Sequence, residues 1–488
     1  MLNTKSILSD ENRGRIYIVL ITVMFAMLML IETSKGWGVW HDRLYLAGLI
    51  AELCLIFLAV FGRRRGCKED ACLILFFFWF CISRLFNGDV RLEGSIFHLR
   101  LVALCLALFY CGYSMPLKYR VLTLRVLSVL LCAVFFVIGL AGLYAALGHT
   151  AVRLPLDVCV GLDMKTSNYY LNVLSENRNT ASFWFVLCFC LGIYQMTVCK
   201  RKLLYIPIAL SMAVDYLFVA LTLSRGSTIA LSGVVAMLVV LLLKEHMSAG
   251  TKAFKAAVMA LAVALALILT YKSYGIIGQL IDDAYLASGA AVTQAAQADE
   301  SAADVAEVEA SDASDESDEA GAREVTGFQE YRGKSDMTRL SGRIPLWKSA
   351  IAALRIEPDR LFKGRLIDEY MDLPNLLNPE KAIKLVNYGT AHNYLLDVLM
   401  FSGLPGLALV GLFTLFLFIR MLRVFFRHTG SISLKVLTLP LTATLAKNMM
   451  EANILRVDDI SNYLFFLIAG IFIAGSYDLL PKKDKKSM

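Results

Sequence analysis

Hydrophobic and polar positions in this 488-residue chain fall into long blocks rather than into the short period of a soluble amphipathic fold. Runs of apolar residues recur at the length an α-helix needs, about 20 residues, to cross roughly 30 Å of hydrocarbon. Twelve are read along the chain: 15–32, 44–61, 71–86, 97–114, 122–147, 182–198, 203–223, 227–243, 254–271, 399–419, 434–450 and 460–479. The pattern predicts an all-α integral membrane protein with about twelve transmembrane helices. Arg13 and Arg15 precede the first run and no small-x-small cleavage site follows it, which predicts an anchor rather than a signal peptide.

The polar intervals set the orientation. Alternate loops hold Arg63, Arg64, Arg65 and Lys68; Lys118 and Arg120; Lys200, Arg201 and Lys202; Lys244 and Lys252; and Arg420, Arg423 and Arg427, while the tail adds Lys482, Lys483, Lys485 and Lys486. The intervening short loops are poorer in basic residues and richer in Trp, Tyr and Asn. Positive-inside asymmetry then places both termini in the cytoplasm, in agreement with an even number of spans.

Composition sharpens this reading. The chain is 58% hydrophobic, with a mean hydropathy of +0.61. Its net charge of +7 conceals an insert, 299–319, with ten acids and no base; without it the charge would be 7 + 10 = +17. Basic loops facing an anionic leaflet explain much of that surplus, so membrane lipid is the expected partner and no nucleic-acid partner is inferred from the charge. All eleven cysteines lie between Cys54 and Cys199, mostly inside apolar runs, where they read as small packing residues. Cys159 alone is well placed for an outer-loop disulfide. The six histidines are scattered, and no metal site is expected.

Three regions follow: 1–271 with spans one to nine, 272–398 as a large extracytoplasmic loop, and 399–488 with the last three spans and a basic tail. Within the loop, 284–325 is rich in Ala, Asp, Glu and Ser and lacks the apolar residues needed to offset ordering entropy, so disorder is expected there. Residues 335–398 are expected to be ordered. Their "SGRIPLWKSAIAALRI" predicts an amphipathic helix capped by Ser341, with Trp347, Ala350, Ile351 and Leu354 as its apolar stripe.

Arginine is out of place on the outer face, where the positive-inside rule depletes it. Arg178 nonetheless stands between Asn177 and Asn179 at the start of the sixth run, Arg225 lies in "TLSRGSTIAL", and Arg339, Arg343, His392 and Asn393 belong to the large loop. No carboxylate lies within five residues of Arg225. A planar guanidinium that keeps its charge grips phosphate oxygens through paired donors. Arginines without partner acids, near one histidine, suit a diphosphate ligand and a proton transfer. Gly226 and the N-terminus of the eighth span would add backbone donors to such an anion site.

"TLSRGSTIAL", "RLSGRIPLWKSAI" and "AHNYLLDVLMFSGLPGL", in that order, resemble three signatures of the bacterial O-antigen ligase and polymerase family, and "ENRNTAS" is similar to a fourth. The resemblance covers roughly 175–480. It implies a metal-independent, cofactor-free membrane glycosyltransferase of the bacterial plasma (inner) membrane. The donor would be a polyprenyl-diphosphate-linked glycan, and the acceptor a glycan or a lipid on the outer face. Carried onto this chain, Arg225 and Arg343 hold the diphosphate and His392 stands beside the acceptor hydroxyl as base or orienting group. Arg178 and Arg339 are further substrate-binding candidates, and Asn393 positions His392. "EPDRLFKGRL" departs from the family pattern by setting Lys363 and Arg365 around Gly364, and the acidic insert is also foreign to it.

Two other classes compete. A carrier or flippase for lipid-linked oligosaccharides would also have many spans, but should place charges near the midplane and show related halves; no internal repeat is found. A structural assembly protein with a vestigial site is the other. Glu52, Asp215 and Lys447 lie inside apolar runs and are read as structural partners, Lys447 with one of the two acids, or else as a proton-coupling set.

Overall fold

The computed structural model describes residues 10–33, 39–61, 67–86, 92–148, 151–153, 159–162, 171–173, 178–222, 224–246, 251–287, 343–356, 358–364, 391–427, 431–451, 454–455 and 459–478. Helices coincide with the apolar runs: α1 (Asp10–Thr33), α2 (Val39–Phe61), α3 (Lys68–Phe86), α4 (Leu92–Ser114), α5 (Leu117–Leu147), α6 (Arg178–Val198), α7 (Tyr205–Leu221), α8 (Arg225–His246) and α9 (Lys252–Ala287). The large loop contributes α10 (Arg343–Ile356) and α11 (Pro358–Lys363). The chain closes with α12 (Tyr394–Phe426), α13 (Ile432–Val436), α14 (Thr438–Asn448) and α15 (Ile460–Asp478).

Among the described residues eight helices are long and apolar enough to cross a membrane. These are α1, α5, α6, α7, α8, α9, α12 and α15. Two of the other runs differ for visible reasons. Helix α3 carries Lys68, Glu69, Asp70 and Arg84. The run at 434–450 is divided at Leu437 into α13 and α14, because Pro440 has no N–H with which to continue the helix ladder.

A small antiparallel sheet joins α5 to α6, with β1 (Ala151–Arg153), β2 (Cys159–Leu162) and β3 (Leu171–Val173) in that order. Val160 pairs with Val152 on one side and Val173 on the other. The hydropathy pattern does not predict it, since strands of three or four residues are too short to show alternation.

Helix α15 forms the axis of the bundle: 89% of its apolar window is buried, against 11% for the peripheral α9. It lies against α4 at a close crossing, where a Cβ on Gly470 would stand 2.1 Å from the Phe109 carbonyl oxygen. Small residues at such crossings let backbones approach, which is how helices associate without a hydrophobic driving force. The end of the bundle formed by the C-termini of α8 and α12 is tied by polar contacts. Arg420 bonds Glu69 at 2.7 Å, Tyr477 OH at 2.9 Å and Ser476 Oγ at 2.9 Å.

At the other end, α12 is kinked. Gly403 leaves helical geometry (φ 69°, ψ −174°), which frees carbonyls of the preceding turn. Helix α3 satisfies two of them: Trp79 Nε1 donates to Ser402 O at 2.6 Å, and the Arg84 guanidinium donates to Phe401 O. The α11 segment packs into the kink through Gly364 (φ 72°), where a Cβ would meet the Phe401 carbonyl carbon at 2.6 Å. The glycine that "EPDRLFKGRL" retains is thus a packing requirement, and its neighbour Lys363 pairs with Asp359 at 2.8 Å. Arg365 lies outside the described residues, as do Ser341 and the acidic insert 299–319.

The intramembrane pairing expected for Lys447 is corrected. Glu52 lies 3.6 Å from Arg100. Asp215 is fully buried with no hydrogen-bond partner for its carboxylate among the described residues. Lys447 sits against an aromatic ring, with Nζ 4.5 Å from the Phe183 centroid.

Candidate functional site

The site is assembled from helix ends. Asn393 caps α12, its Oδ1 accepting from Leu396 N at 3.2 Å, as an Asn before the first turn should. Its other amide atom reaches across the bundle: Nδ2 donates to Met449 O at 3.1 Å. Just before it, His392 adopts φ 51°, a left-handed conformation that costs a non-glycine residue on the order of 1 kcal/mol or more.

Contacts on both sides hold that conformation. Ala391 N donates to Asp397 Oδ1 at 2.9 Å, and Ala391 O accepts from Trp347 Nε1 at 2.8 Å. Trp347 lies on α10, whose inner side packs Ala350 and Leu354 against Ala391 and Met400. The apolar stripe is narrower than the sequence predicts, for Ile351 is 44% exposed. Helix α10 therefore clamps the histidine turn, and Trp347 contributes a polar contact as well as apolar bulk.

Glu451, just beyond α14, is where the distant segments meet. Arg343 Nη2 lies 2.5 Å from its Oε1, Asn179 Nδ2 donates to the same oxygen at 2.9 Å, and His392 Nδ1 stands 3.5 Å from Oε2. The residue is 5% exposed. Burial pushes its carboxyl up, but the His392 contact and the charges of Lys447 and Arg343 outweigh burial and hold it below the usual glutamate value. The arrangement is an ionised carboxylate gripping an arginine on one side and facing a histidine on the other.

The first turn of α8 closes this floor. Ser224 precedes the helix, and its Oγ accepts from Ser227 N at 3.5 Å. Gly226 faces the 447–451 turn, where a Cβ would come 3.8 Å from Glu451 Cγ and 3.9 Å from Lys447 Cγ. Arg225, half-buried, is the first residue of α8 and stands beside that contact. Ser227 Oγ donates to Asn179 O at 3.4 Å, and Thr222 Oγ1 donates to Ser182 Oγ at 2.8 Å. These two bonds tie the α7–α8 turn to α6.

Arg343, His392 and Asn393 are therefore brought together, with Arg225 on the adjoining helix start. Arg178 opens α6 next to Asn179, but its side chain is outside the described residues, and Arg339 is wholly outside them. One expectation is overturned: Arg343 has a carboxylate partner, and it comes from a residue 108 positions away. Glu451 and Asp397 are missing from the sequence reading, which takes Asn179 only as a neighbour of Arg178 and Trp347 only as part of an apolar stripe. The signal available for Glu451 was positional, an acid one residue past the eleventh apolar run.

Residues 207–411 match the protein family described as O-antigen ligase. No curated protein matches the chain.

Proposed function

We propose that this chain, a member of the O-antigen ligase and polymerase family, transfers a polyprenyl-diphosphate-linked glycan to a glycan or lipid acceptor on the outer face of the bacterial plasma membrane. The observation that carries the reading is the junction at Glu451, which sets an arginine and a histidine on one buried carboxylate. The outer-face assignment rests on the basic residues of the opposite loops. It fits twelve spans, with α13 and α14 together forming the eleventh.

The chemistry follows from the positions. With its Nδ1–H directed at Glu451, the His392 ring keeps Nε2 as the basic nitrogen, and its tautomer is set by the carboxylate. Nε2 takes the proton of the acceptor hydroxyl as the oxygen attacks the anomeric carbon. The bond from that carbon to the diphosphate oxygen breaks, and its electron pair leaves with the lipid diphosphate. Arg343 spends one guanidinium nitrogen on Glu451; its remaining donors, with those of Arg225 and the α8 N-terminus, meet the charge growing on the leaving group. No step calls for a metal or a cofactor. Arg178 and Arg339 are further substrate-binding candidates on the same reading, and Asn393 holds the turn that carries His392.

The test uses the purified full-length protein in detergent, with a lipid-linked oligosaccharide and an acceptor, where translocation across a bilayer has no meaning. Glycan transfer or elongation is expected with metal chelated, and His392→Ala is expected to abolish it while donor binding persists. Turnover by that variant at the wild-type rate would remove His392 from its role. No transfer by the wild type, with donor translocation in proteoliposomes, would favour the carrier reading.

A further inference from the structure

Beneath Glu451 lies a second charge that the proposed transfer does not use. Lys447 is one helical turn earlier, and Glu451 N donates to its carbonyl at 2.8 Å. Its side chain is 1% exposed, and its ammonium makes no hydrogen bond among the described residues. A bare buried cation is costly to hold, and the Phe183 ring 4.5 Å away offsets only part of that cost. Nearby charge offsets a further part.

Two carboxylates supply it. Glu451 and Asp459 both attract Lys447. Asp459 is 4% exposed and is itself fixed, accepting from Trp184 Nε1 at 2.6 Å and from the Ser461 hydroxyl. One face of α6 templates the whole row. Asn179, Phe183 and Trp184, spaced four and one residues apart, touch Glu451, Lys447 and Asp459 respectively. The stretch "NTASFW" thus acts through an amide, a ring face and an indole N–H laid along a charged chain.

We propose that Lys447 is a positioning residue for the transfer site, holding the Glu451 carboxylate aimed at Arg343 and His392 from its berth between Phe183 and Asp459. The role in turnover rests on the function proposed above; the coupling to Glu451 does not. The charged and titratable groups facing Glu451 are Arg343 from α10, His392 before α12 and Lys447 from α14, with Arg225 at the α8 start and Asp459 beyond Lys447. Removing Lys447 leaves the carboxylate in the same buried place with one cation fewer.

The experiment measures thermal stability against pH, then turnover, for the full-length protein, Lys447→Met, Glu451→Gln and the double variant. Lys447→Gln keeps a polar tip and serves if the methionine variant does not fold. A carboxyl held below its ordinary value stabilises the fold above that value, and the contribution is lost as pH falls through the folded one. In Lys447→Met the acid loss of Tm is expected at higher pH than in wild type, and this displacement is expected to vanish in the Glu451→Gln background. Turnover should fall on the order of tenfold in kcat, the equivalent of about 1.4 kcal/mol, with little change in KM and an acid limb moved the same way. An unmoved Tm profile in Lys447→Met overturns the proposal. So does a displacement that persists without Glu451, which would assign Lys447 to Asp459 alone. If the Tm profile behaves as expected and wild type transfers no glycan, the coupling stands and the function falls.

Discussion

Replacing Glu451 with glutamine alters the charge of the junction while keeping its shape, and the structure sets the size of the effect. The amide oxygen can still accept from Asn179 and Arg343, so the geometry at 2.9 Å and 2.5 Å is available to it. What is lost is the charge in the Arg343 bond, where a charge-assisted hydrogen bond exceeds a neutral one by about 1–2 kcal/mol. The anchor for His392 also fails, since the amide NH2 then faces Nδ1 and favours the tautomer protonated at Nε2, and it cannot stabilise the ring when it gains a proton. Allowing about another 1–2 kcal/mol for that, the barrier rises by roughly 3 kcal/mol, which is on the order of a hundredfold in rate. The partial exposure of Arg343 (17% of its side chain) keeps the estimate at this modest level. The assay is transfer from a lipid-linked oligosaccharide in detergent, followed as kcat and KM from about pH 2.5 to 9, a range that reaches well below the ordinary glutamate value. Because burial is outweighed by His392, Lys447 and Arg343, the wild-type carboxylate should stay ionised to below the ordinary glutamate range, and an acid limb from Glu451 should lie there. Glu451→Gln should abolish that limb and lower kcat across the profile. A variant within twofold of wild type, with an unchanged profile, would refute the reasoning.

Two further substitutions probe the site and its frame. Arg225→Ala should lose on the order of 10²-fold in kcat/KM and Arg225→Lys much less, measured in the same assay; equal, wild-type-like rates would reject anion binding at the α8 start. Gly403→Ala should lower Tm sharply and abolish transfer, because a Cβ there would sit 1.9 Å from Phe362 O at φ 69°, a combination worth several kcal/mol. Gly411→Ala on the same helix is the control: nothing lies within 4 Å of its Cβ, and thermal unfolding should show no loss.

How much of this was legible in the sequence depends on the range of the interaction. Helix positions follow from composition over about 20 residues, so nearly every apolar run falls on its helix, and Pro440 marks where one is divided. The capping role of Asn393 is local too, since it acts on Leu396 N three residues on. The pairing of Arg343 with Glu451 spans 108 residues and that of Asn179 with Glu451 spans 272; no periodicity encodes either. Lys447 misled for the same reason. Hydropathy marks it as a charge in hydrocarbon, but only the packing of α14 on α6 shows that its neighbour is a ring face. The left-handed His392 escapes as well, because it is imposed from outside, by Trp347 and Asp397 acting on Ala391.

A carboxylate at the centre of a site proposed for diphosphate asks for a physical reason. Arg225, Arg343 and Lys447 carry three positive charges and Glu451, Asp459 and Asp397, which holds the histidine turn, three negative ones, so the described cluster sums to 3 − 3 = 0 with His392 neutral. An unopposed set of cations would bind the lipid diphosphate more tightly as donor and, equally, as product, and such uniform binding does nothing for the chemical step. Glu451 tempers that attraction in both ground states. Its contact with His392 changes in the opposite direction: it is weak while the imidazole is neutral and becomes an ion pair as the ring takes the acceptor's proton. On this reading the acid subtracts from ground-state binding and adds to the transition state, and it also spares Arg343 part of the roughly 2 kcal/mol of side-chain freedom that a mobile arginine loses on ordering. Its presence among the arginines is then what a transferase needs and what a simple binder of diphosphate would avoid.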